Sequence, residues 1–413
     1  MKVALISPEE RPVPPIDGGA VEQILYETAC HVQDPELFVI SPQPNKPICL
    51  ASKDKTRFLH VDIQAQKLHV QSVLSGQLPQ SLKHNKSAKE FYYLMGVTDL
   101  IETLNPHVIE IHNRPHFAAY LARQFPDKQI VFFMHSNKFS KFDHRDLSLP
   151  QINRLIFVSH DFQQKFLLKH PESKNKTDVI HNAVNTHQWH PKLKTHPLTK
   201  AIRSQHQLPR GYTLLFVGRM VKQKGIHLLV DAVKQIQKKI PQIKLLAVGS
   251  PEFKNHIDSD FFEKLKFQAR PLGDTIIFTN YIDRNETPYY YAAADLIVMP
   301  SIGTEGLPLV ALESGAAGIP LLGSRCGGIP EVIQHNKTGV LIHTPENTHD
   351  LATQIYDLLS HPTHLKKMGD AARQHITSHF SQSVRQANLK TYYNTLKLSL
   401  QETTYSPKGS IHA

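Results

Sequence analysis

Thr213-Leu214-Leu215-Phe216-Val217-Gly218-Arg219 is followed, four residues later, by Lys224-Gly225 and then by the amphipathic run Ile226–Lys239. The apolar run closed by a glycine reads as a strand, and the periodic run after the second glycine as a helix. The strand does not alternate apolar and polar residues. That is the mark of a strand buried on both faces, as in parallel sheets covered by helices. The same rhythm extends in both directions. Downstream, strands are expected at Lys244–Val248, Thr275–Phe278, Leu296–Met299 and Pro320–Gly323, with helices at Leu307–Ala317 and Leu351–Leu359. Upstream, strands are expected at Val3–Ser7, Leu37–Ile40, Val108–Ile111, Ile130–Met134, Leu155–Val158 and Asp178–Ile180, with a helix at Ala20–Val32. The reading is an α/β protein with two Rossmann-like parallel-sheet domains facing each other across a cleft.

The chain has 413 residues, whereas single cores stop growing at about 250–300. The boundary is placed in Trp189–Arg210, which carries Pro191, Pro197 and Pro209 and no strand pattern. This gives domains at 1–195 and 196–381, a helix at 382–401 crossing back to the first domain, and a flexible tail at 402–413. Residues 42–82 read as an irregular excursion. At 40% hydrophobic and 20% charged, the chain is neither disordered nor fibrous. No apolar run approaches the ~20 residues of a membrane span. The apolar part of the N-terminus is too short for a signal peptide. Cys30, Cys49 and Cys326 make no disulfide framework and suit a reducing cytoplasm. A net charge of +11 favours anionic partners. Lys and Arg are spread throughout without a zinc-finger or RNA-binding signature, so no nucleic acid is expected.

Ligands of open parallel sheets bind beyond the carboxyl ends of the strands. Gly18-Gly19 follows the first strand, His112-Asn113-Arg114 another, His135-Ser136-Asn137 a third, and Asn280-Tyr281-Ile282 a fourth. Gly218-Arg219 with Lys224-Gly225 suits a diphosphate: Arg offers a planar fork, Lys a point charge, and Gly a close backbone approach. In Glu305-Gly306-Leu307-Pro308-Leu309-Val310-Ala311-Leu312-Glu313, Pro308 fits a first helical turn. The N–H groups of Leu309 and Val310 could then hold a phosphate. On one helix Glu305 and Glu313 would be roughly 12 Å apart in rise, more than a hydrolase carboxylate pair allows.

These motifs, with Gly327-Gly328-Ile329-Pro330-Glu331, resemble the GT-B retaining glycosyltransferases of family 4. Ile111-His112-Asn113-Arg114-Pro115 and His135-Ser136-Asn137-Lys138-Phe139 are similar to its bacterial spore-coat branch. The resemblance implies a nucleotide-diphosphate sugar as co-substrate, a UDP-sugar favoured, with no other cofactor and a hydroxyl acceptor. It implies that Arg219 and Lys224 neutralise the diphosphate and that Glu313 holds the ribose. Glu305 would hold the donor sugar, with His135 near the reacting centre and Tyr281 and Ile282 at the base. Gly18 and Gly19 would close onto the diphosphate. The leaving phosphate would take the acceptor proton, so no protein nucleophile is assigned. His181-Asn182-Ala183-Val184-Asn185 departs from the family's usual Pro-Asn-Gly-Val-Asp.

No metal site is assigned. Asp258-Ser259-Asp260 has no strand before it, and Pro115 between His112 and His116 keeps them off one helix face. The run Lys83–Leu100 could set a basic amphipathic face on an anionic membrane, at its inner side, or pack on its own sheet. A sugar-nucleotide epimerase of the same fold would need an acid/base pair at the sugar. A non-catalytic coat or scaffold protein would have no use for Arg219, Lys224, Glu305 and Glu313.

Overall fold

The computed structural model describes residues 1–16, 18–46, 57–73, 86–136, 149–250 and 259–405. These form two compact units. One comprises Met1–Phe157, Pro171–Ile180 and the chain from Arg385; the other comprises Val158–His170 and His181–Val384.

The first unit holds a seven-stranded sheet in the order β3-β2-β1-β4-β5-β6-β7. Its strands are β1 (Lys2–Ile6), β2 (Glu36–Pro42), β3 (Phe58–Val61), β4 (Val108–His112), β5 (Gln129–Met134), β6 (Arg154–Phe157) and β7 (Thr177–Val179). The second unit holds six strands in the order β10-β9-β8-β11-β12-β13. These are β8 (Thr213–Val217), β9 (Lys244–Val248), β10 (Ile276–Phe278), β11 (Leu296–Met299), β12 (Leu321–Ser324) and β13 (Gly339–Ile342). Every neighbouring pair is parallel. Each unit is therefore Rossmann-like, as the apolar, non-alternating strands require. Each also has a switch point where strand order reverses, between β1 and β4 and between β8 and β11. Loops leaving those strands splay apart there and open a crevice. Gly18-Gly19 and the 112–114 loop belong to the first crevice; Gly218-Arg219 and the 301–306 loop belong to the second.

Three expectations need correction. Trp189–Arg210 is part of the second unit rather than a linker, and residues 158–170 and 181–195 join that unit too. Trp189 is 1% exposed. Pro191 and Pro197 open the helical segments Pro191–Thr195 and Pro197–Gln205, whose caps are the side chains of His190 and His196. A proline costs nothing at a helix start, so these mark beginnings rather than breaks. The 42–82 excursion contains β3 and the helix Ile63–Val73. β3 is a four-residue edge strand containing a histidine, too short to register as a pattern. The last helix, Gln382–Tyr405, runs past the expected start of a loose tail at 402.

That helix also supplies part of the first unit's core: Leu389, Tyr392, Tyr393 and Leu396 pack with Val3, Leu5, Val39 and Ile156. The aromatic run of the helix Lys86–Leu104 turns inward within its own unit: Tyr92 and Phe91 pack with Ile63 and Val70 of the helix Ile63–Val73, and Tyr93 faces the sheet. Tyr93 is fully buried and its hydroxyl donates to the Ser7 carbonyl at 3.1 Å and that of Ile40 at 3.0 Å. Lys83 lies outside the described residues. No described helix is long and apolar enough to cross a membrane.

Candidate functional site

In the second unit the crevice is shaped by glycines. Gly225 (φ +71°) caps the helix Ile226–Ile236, and a Cβ there would fall 1.8 Å from the Pro300 carbonyl oxygen at the end of β11. A Cβ on Gly249 would fall 2.0 Å from the Gly218 carbonyl oxygen. The loops after β8, β9 and β11 are thus in backbone contact, which no other residue allows. Backbone N–H groups of Ile302 and Gly303 donate to the Gln223 carbonyl at 3.0 and 3.3 Å.

This approach sets Lys224 on Glu305. Lys224 Nζ lies 2.7 Å from Oε1 and 2.9 Å from Oε2, and Ser301 Oγ donates to Oε1 at 2.7 Å. The cluster is half-buried, with side-chain exposures of 26% for Lys224 and 12% for Glu305. Behind Glu305, Gly328 N–H donates to the carbonyls of Glu305 (3.1 Å) and Gly306 (2.9 Å). A Cβ on Gly327 would meet the Glu305 carbonyl oxygen at 1.8 Å. Asn182 Nδ2 donates to the Leu307 carbonyl at 2.8 Å, so the departure at 181–185 leaves this asparagine with a clear task. Cys326 Sγ donates to the Gly303 carbonyl at 3.3 Å. Burial, then the Glu305 charge, push its thiol up to about 11, away from the thiolate form that a nucleophile uses. Arg219 is exposed on the loop after β8.

The helix after the 301–306 loop is Leu309–Ala316, with Pro308 as its N-cap. Its first internal bond is Ala311 N–H to the Pro308 carbonyl at 3.1 Å, so the N–H groups of Leu309 and Val310 precede the ladder. Glu305 therefore stands in the loop ahead of the helix, as a helix expected to begin at Leu307 requires, and Glu313 lies inside the helix. Glu313 is less accessible than a ribose-holding role implies. It does not face an open crevice but is 3% exposed. Tyr291 hydroxyl donates to its Oε2 at 2.7 Å. Arg284 Nη2 is 3.1 Å from Oε1, without the alignment of a hydrogen bond. Burial and the Glu313 charge hold the Tyr291 phenol well above its usual range, so it remains a donor. Trp189 packs edge-on to Tyr291, ring centroids 4.8 Å apart. Arg284, Tyr291 and Trp189 are not site residues that the sequence motifs point to. Ser301, at the start of the 301–305 stretch after a strand, and Arg284, two residues beyond the Asn280–Ile282 loop, carry a positional hint. Tyr281 is exposed and Ile282 half-buried; Asn280, at φ +61°, turns its carbonyl to accept from Gly249 N–H at 3.0 Å. Asp258 lies outside the described residues, and Asp260 is exposed in the first turn of the helix Ser259–Ala269.

In the first unit Gly18 and Gly19 both have positive φ, 76° and 114°. A Cβ on Gly19 would meet Glu22 Oε2 at 2.1 Å and Arg11 Nη1 at 2.9 Å. The space this glycine leaves is filled by an acid and a base of its own unit. His135 sits at the end of β5. Asn113, at φ +60°, accepts at Oδ1 from the backbone N–H groups of His135 and Ser136, both at 3.1 Å. Neighbouring Arg114 is buried on Glu9, with Nε–Oε2 2.6 Å and Nη2–Oε1 3.0 Å, and also meets Glu10. Asn137, Lys138 and Phe139 lie outside the described residues.

Behind His135 runs a polar chain that the sequence did not announce. His135 Nε2 is 2.9 Å from His112 Nδ1, and His112 Nε2 is 3.0 Å from Glu110 Oε1. Tyr393 hydroxyl donates to Glu110 Oε2 at 3.3 Å. Burial pushes Glu110 up to about 8. Burial, reinforced by Arg385, pushes His112 down to about 3, and burial holds His135 well below its usual value. At neutral pH the Glu110–His112 contact is thus between neutral groups. With both groups neutral, the assignment that satisfies the chain has the acid donating from Oε1 to His112 Nε2 and His112 Nδ1–H donating to His135 Nε2. His135 then carries its own proton on Nδ1, an atom with no hydrogen-bond partner.

Two family models match the chain: "Glycosyl transferases group 1" over residues 199–375 and "Glycosyltransferase Family 4" over residues 33–188. Spore coat protein SA of Bacillus subtilis is 26% identical over 402 residues, covering 95% of this chain and 99% of that protein. The lipopolysaccharide 1,2-N-acetylglucosaminetransferase of Salmonella typhimurium is 24% identical, covering 83% and 85%. Among solved structures, sucrose-phosphate synthase from Thermosynechococcus elongatus superposes with a TM-score of 0.74 at 21% identity, covering 96% of this chain and 99% of that one. Anabaena HepE, solved with UDP, also gives 0.74, at 18% identity, covering 96% and 100%.

Proposed function

We propose, from the premise that this chain belongs to the family 4 glycosyltransferases of GT-B fold, that it moves a sugar from a nucleotide-diphosphate sugar to a hydroxyl acceptor with retention of configuration. The observation that carries this reading is the Lys224–Glu305–Ser301 cluster, set beside the first N–H groups of the helix Leu309–Ala316. A cation, a carboxylate and unladdered backbone donors at one crevice suit a glycosyl diphosphate, whose leaving phosphate gains charge as the sugar flattens. Arg219, Lys224 and the N–H groups of Leu309 and Val310 take that charge. Glu305 holds hydroxyls of the transferred sugar, and Glu313 takes the ribose at Oε1, the oxygen that Tyr291 does not bond and that Arg284 Nη2 must share at 3.1 Å. Tyr281 and Ile282 flank the base.

His135 offers Nδ1–H to the sugar or acceptor as a hydrogen-bond donor rather than a base. The leaving phosphate itself accepts the acceptor's proton. With phosphate charge met by protein cations, turnover needs no divalent ion and survives EDTA. UDP is the favoured nucleotide, supported by UDP-glucose bound to the structural neighbour HepE. Synthesis of a cell-surface or spore-coat glycoconjugate accords with the names of the relatives, and a cytoplasmic location is part of the same proposal. The test is to incubate the protein with UDP-glucose, UDP-galactose, UDP-GlcNAc and GDP-mannose and measure binding and slow donor hydrolysis. Inversion of the sugar in place of hydrolysis, or no binding to any donor, overturns the reading.

A further inference from the structure

Away from the Lys224–Glu305 cluster, three side chains from separate segments of the second unit meet at Glu331. Its Oε2 accepts from His160 N–H at 2.9 Å and its Oε1 from Asp161 N–H at 2.9 Å, so it caps the helix His160–Leu167 from outside. His181 brings Nε2 to the same Oε2, at 2.9 Å. The His160 ring stands edge-on to that of His181, centroids 5.3 Å apart. One ligand atom from each of His160, His181 and Glu331 lies within 4.8 Å of the other two. His181 opens the segment 181–185, at which the chain departs from the motif its family resemblance leads one to expect.

We propose that His160, His181 and Glu331 form a binding site for a divalent transition-metal ion of the zinc type. Two imidazole nitrogens and one carboxylate oxygen are the ligands such ions take, whereas magnesium and calcium prefer all-oxygen shells. At bond lengths of about 2.0–2.2 Å, tetrahedral ligands stand roughly 3.3 Å from one another. The His181–Glu331 pair is already near that spacing. The remaining adjustment falls to His160, which is exposed and can swing its ring inward. The ion takes the Nε2 lone pair of His181 in place of the proton that nitrogen now shares with Glu331. A carboxylate has about four lone-pair positions, so Glu331 can hold the ion and keep both backbone N–H groups. A water completes the fourth position.

The consequence is local bracing. His181 precedes Asn182, which holds the Leu307 carbonyl. Glu331 follows Gly328, which holds the carbonyls of Glu305 and Gly306. An ion at this point would tie together the segments that fix the 305–307 loop. The competing explanation is a charged His181–Glu331 pair with no metal role.

The experiment is to strip the full chain with chelator, titrate Co²⁺ and read its visible d–d absorption. The expected result is a band saturating at one equivalent, with affinity weakened at least about ten-fold in His160→Gln and in His181→Asn. His375→Gln, which removes half of the His375–His379 pair, tilted rings with centroids 4.6 Å apart on another helix, leaves the band unchanged. Zn²⁺ raises the unfolding midpoint of the wild type but not of His160→Gln. His160 is exposed, so that variant decides the matter even if His181→Asn does not fold. The same Co²⁺ titration in wild type and His160→Gln, or no one-equivalent band in the wild type, overturns the proposal. Neither readout involves a sugar donor, so its failure is separate from failure of the transferase reading.

Discussion

The two polar clusters of this molecule are built in opposite ways. In the second unit Lys224, Glu305 and Ser301 sit half-buried on loops that touch backbone to backbone, and the contact depends on Gly225, Gly327 and Gly328. In the first unit Glu110 and His112 are buried on β4, behind His135, and are met by Tyr393 from the last helix. Partly hydrated charges stay charged; buried acids and imidazoles become neutral. One cluster is therefore ready to exchange partners with an incoming anion. The other is a chain of neutral donors that fixes a ring orientation and responds to pH.

The sharpest way to break this contrast is at Glu305. Glu305→Gln should lower kcat by roughly a hundred-fold, as loss of a contact that strengthens in the transition state does, while UDP affinity changes little. Donor hydrolysis measured beside UDP calorimetry checks it. If UDP binding disappears instead, the carboxylate serves only to position Lys224. Next in size are Arg219→Ala and Lys224→Ala. Each should cost about 1.5–3 kcal/mol of nucleoside diphosphate binding, that is roughly ten- to a hundred-fold, with little change in the unfolding midpoint. Unchanged calorimetric affinity for both UDP and GDP would remove the diphosphate role.

Glu313 mixes the two styles, since it is a donor-site candidate that is as buried as Glu110. Glu313→Gln should raise donor KM about ten-fold with a smaller change in kcat. Unlike the clamp variants, it should also lower stability without ligand by about 1–2 kcal/mol, because Tyr291 and Arg284 lose a charged partner. Kinetics and thermal unfolding of one preparation separate these effects. A fall in kcat alone would put Glu313 beside the reacting carbon rather than the ribose.

The smallest expected effect is a pH signature of the first unit. Glu110 is raised from an ordinary 4.5 to about 8, so its contribution to stability is full at low pH and lost as pH rises through that window. His112 is lowered from 6.5 to about 3 and His135 is lowered too, so theirs is full above 6.5 and lost as pH falls. Between 6.5 and 8 Glu110 is the one of these three groups whose contribution still changes, and stability should decline there, with Glu22, also raised by burial, acting in the same direction. Below 6.5 two histidines oppose one glutamate. Unfolding midpoints across pH should therefore peak near 6.5, with the alkaline decline flattened in Glu110→Gln. An unchanged alkaline limb in that variant would mean that Glu110 is ionised in the folded unit.

The same contrast explains what could be read in advance. Thr213–Val217, Lys244–Val248 and Leu296–Met299 match the observed strands to the residue, because buried parallel strands write themselves as apolar runs ended by glycine or proline. The Lys224 and Glu305 loops were legible because glycine at fixed spacing is a local requirement of close backbone approach. Glu110 and Tyr393 are 283 residues apart, and nothing local links a glutamate on a strand to a tyrosine on the last helix. Tyr291 and Arg284 were hidden for the same reason. They reach Glu313 through tertiary packing, and a carboxylate on a helix says nothing of whether its face is wet.

The helix Gln382–Tyr405 also sets an order of events during synthesis. Leu389, Tyr392, Tyr393 and Leu396 fill the core of the unit that contains the N-terminus. The ribosome finishes β7 at Val179 and must still add His181–Val384 of the second unit before it reaches Arg385. At about 5–20 residues per second that interval is roughly 10–40 s. For all of it the seven-stranded sheet waits with one patch of its core uncovered and Glu110 without its tyrosine. The half of the protein that is made first is the half completed last, and a chain cut short before residue 385 leaves the earlier half unfinished.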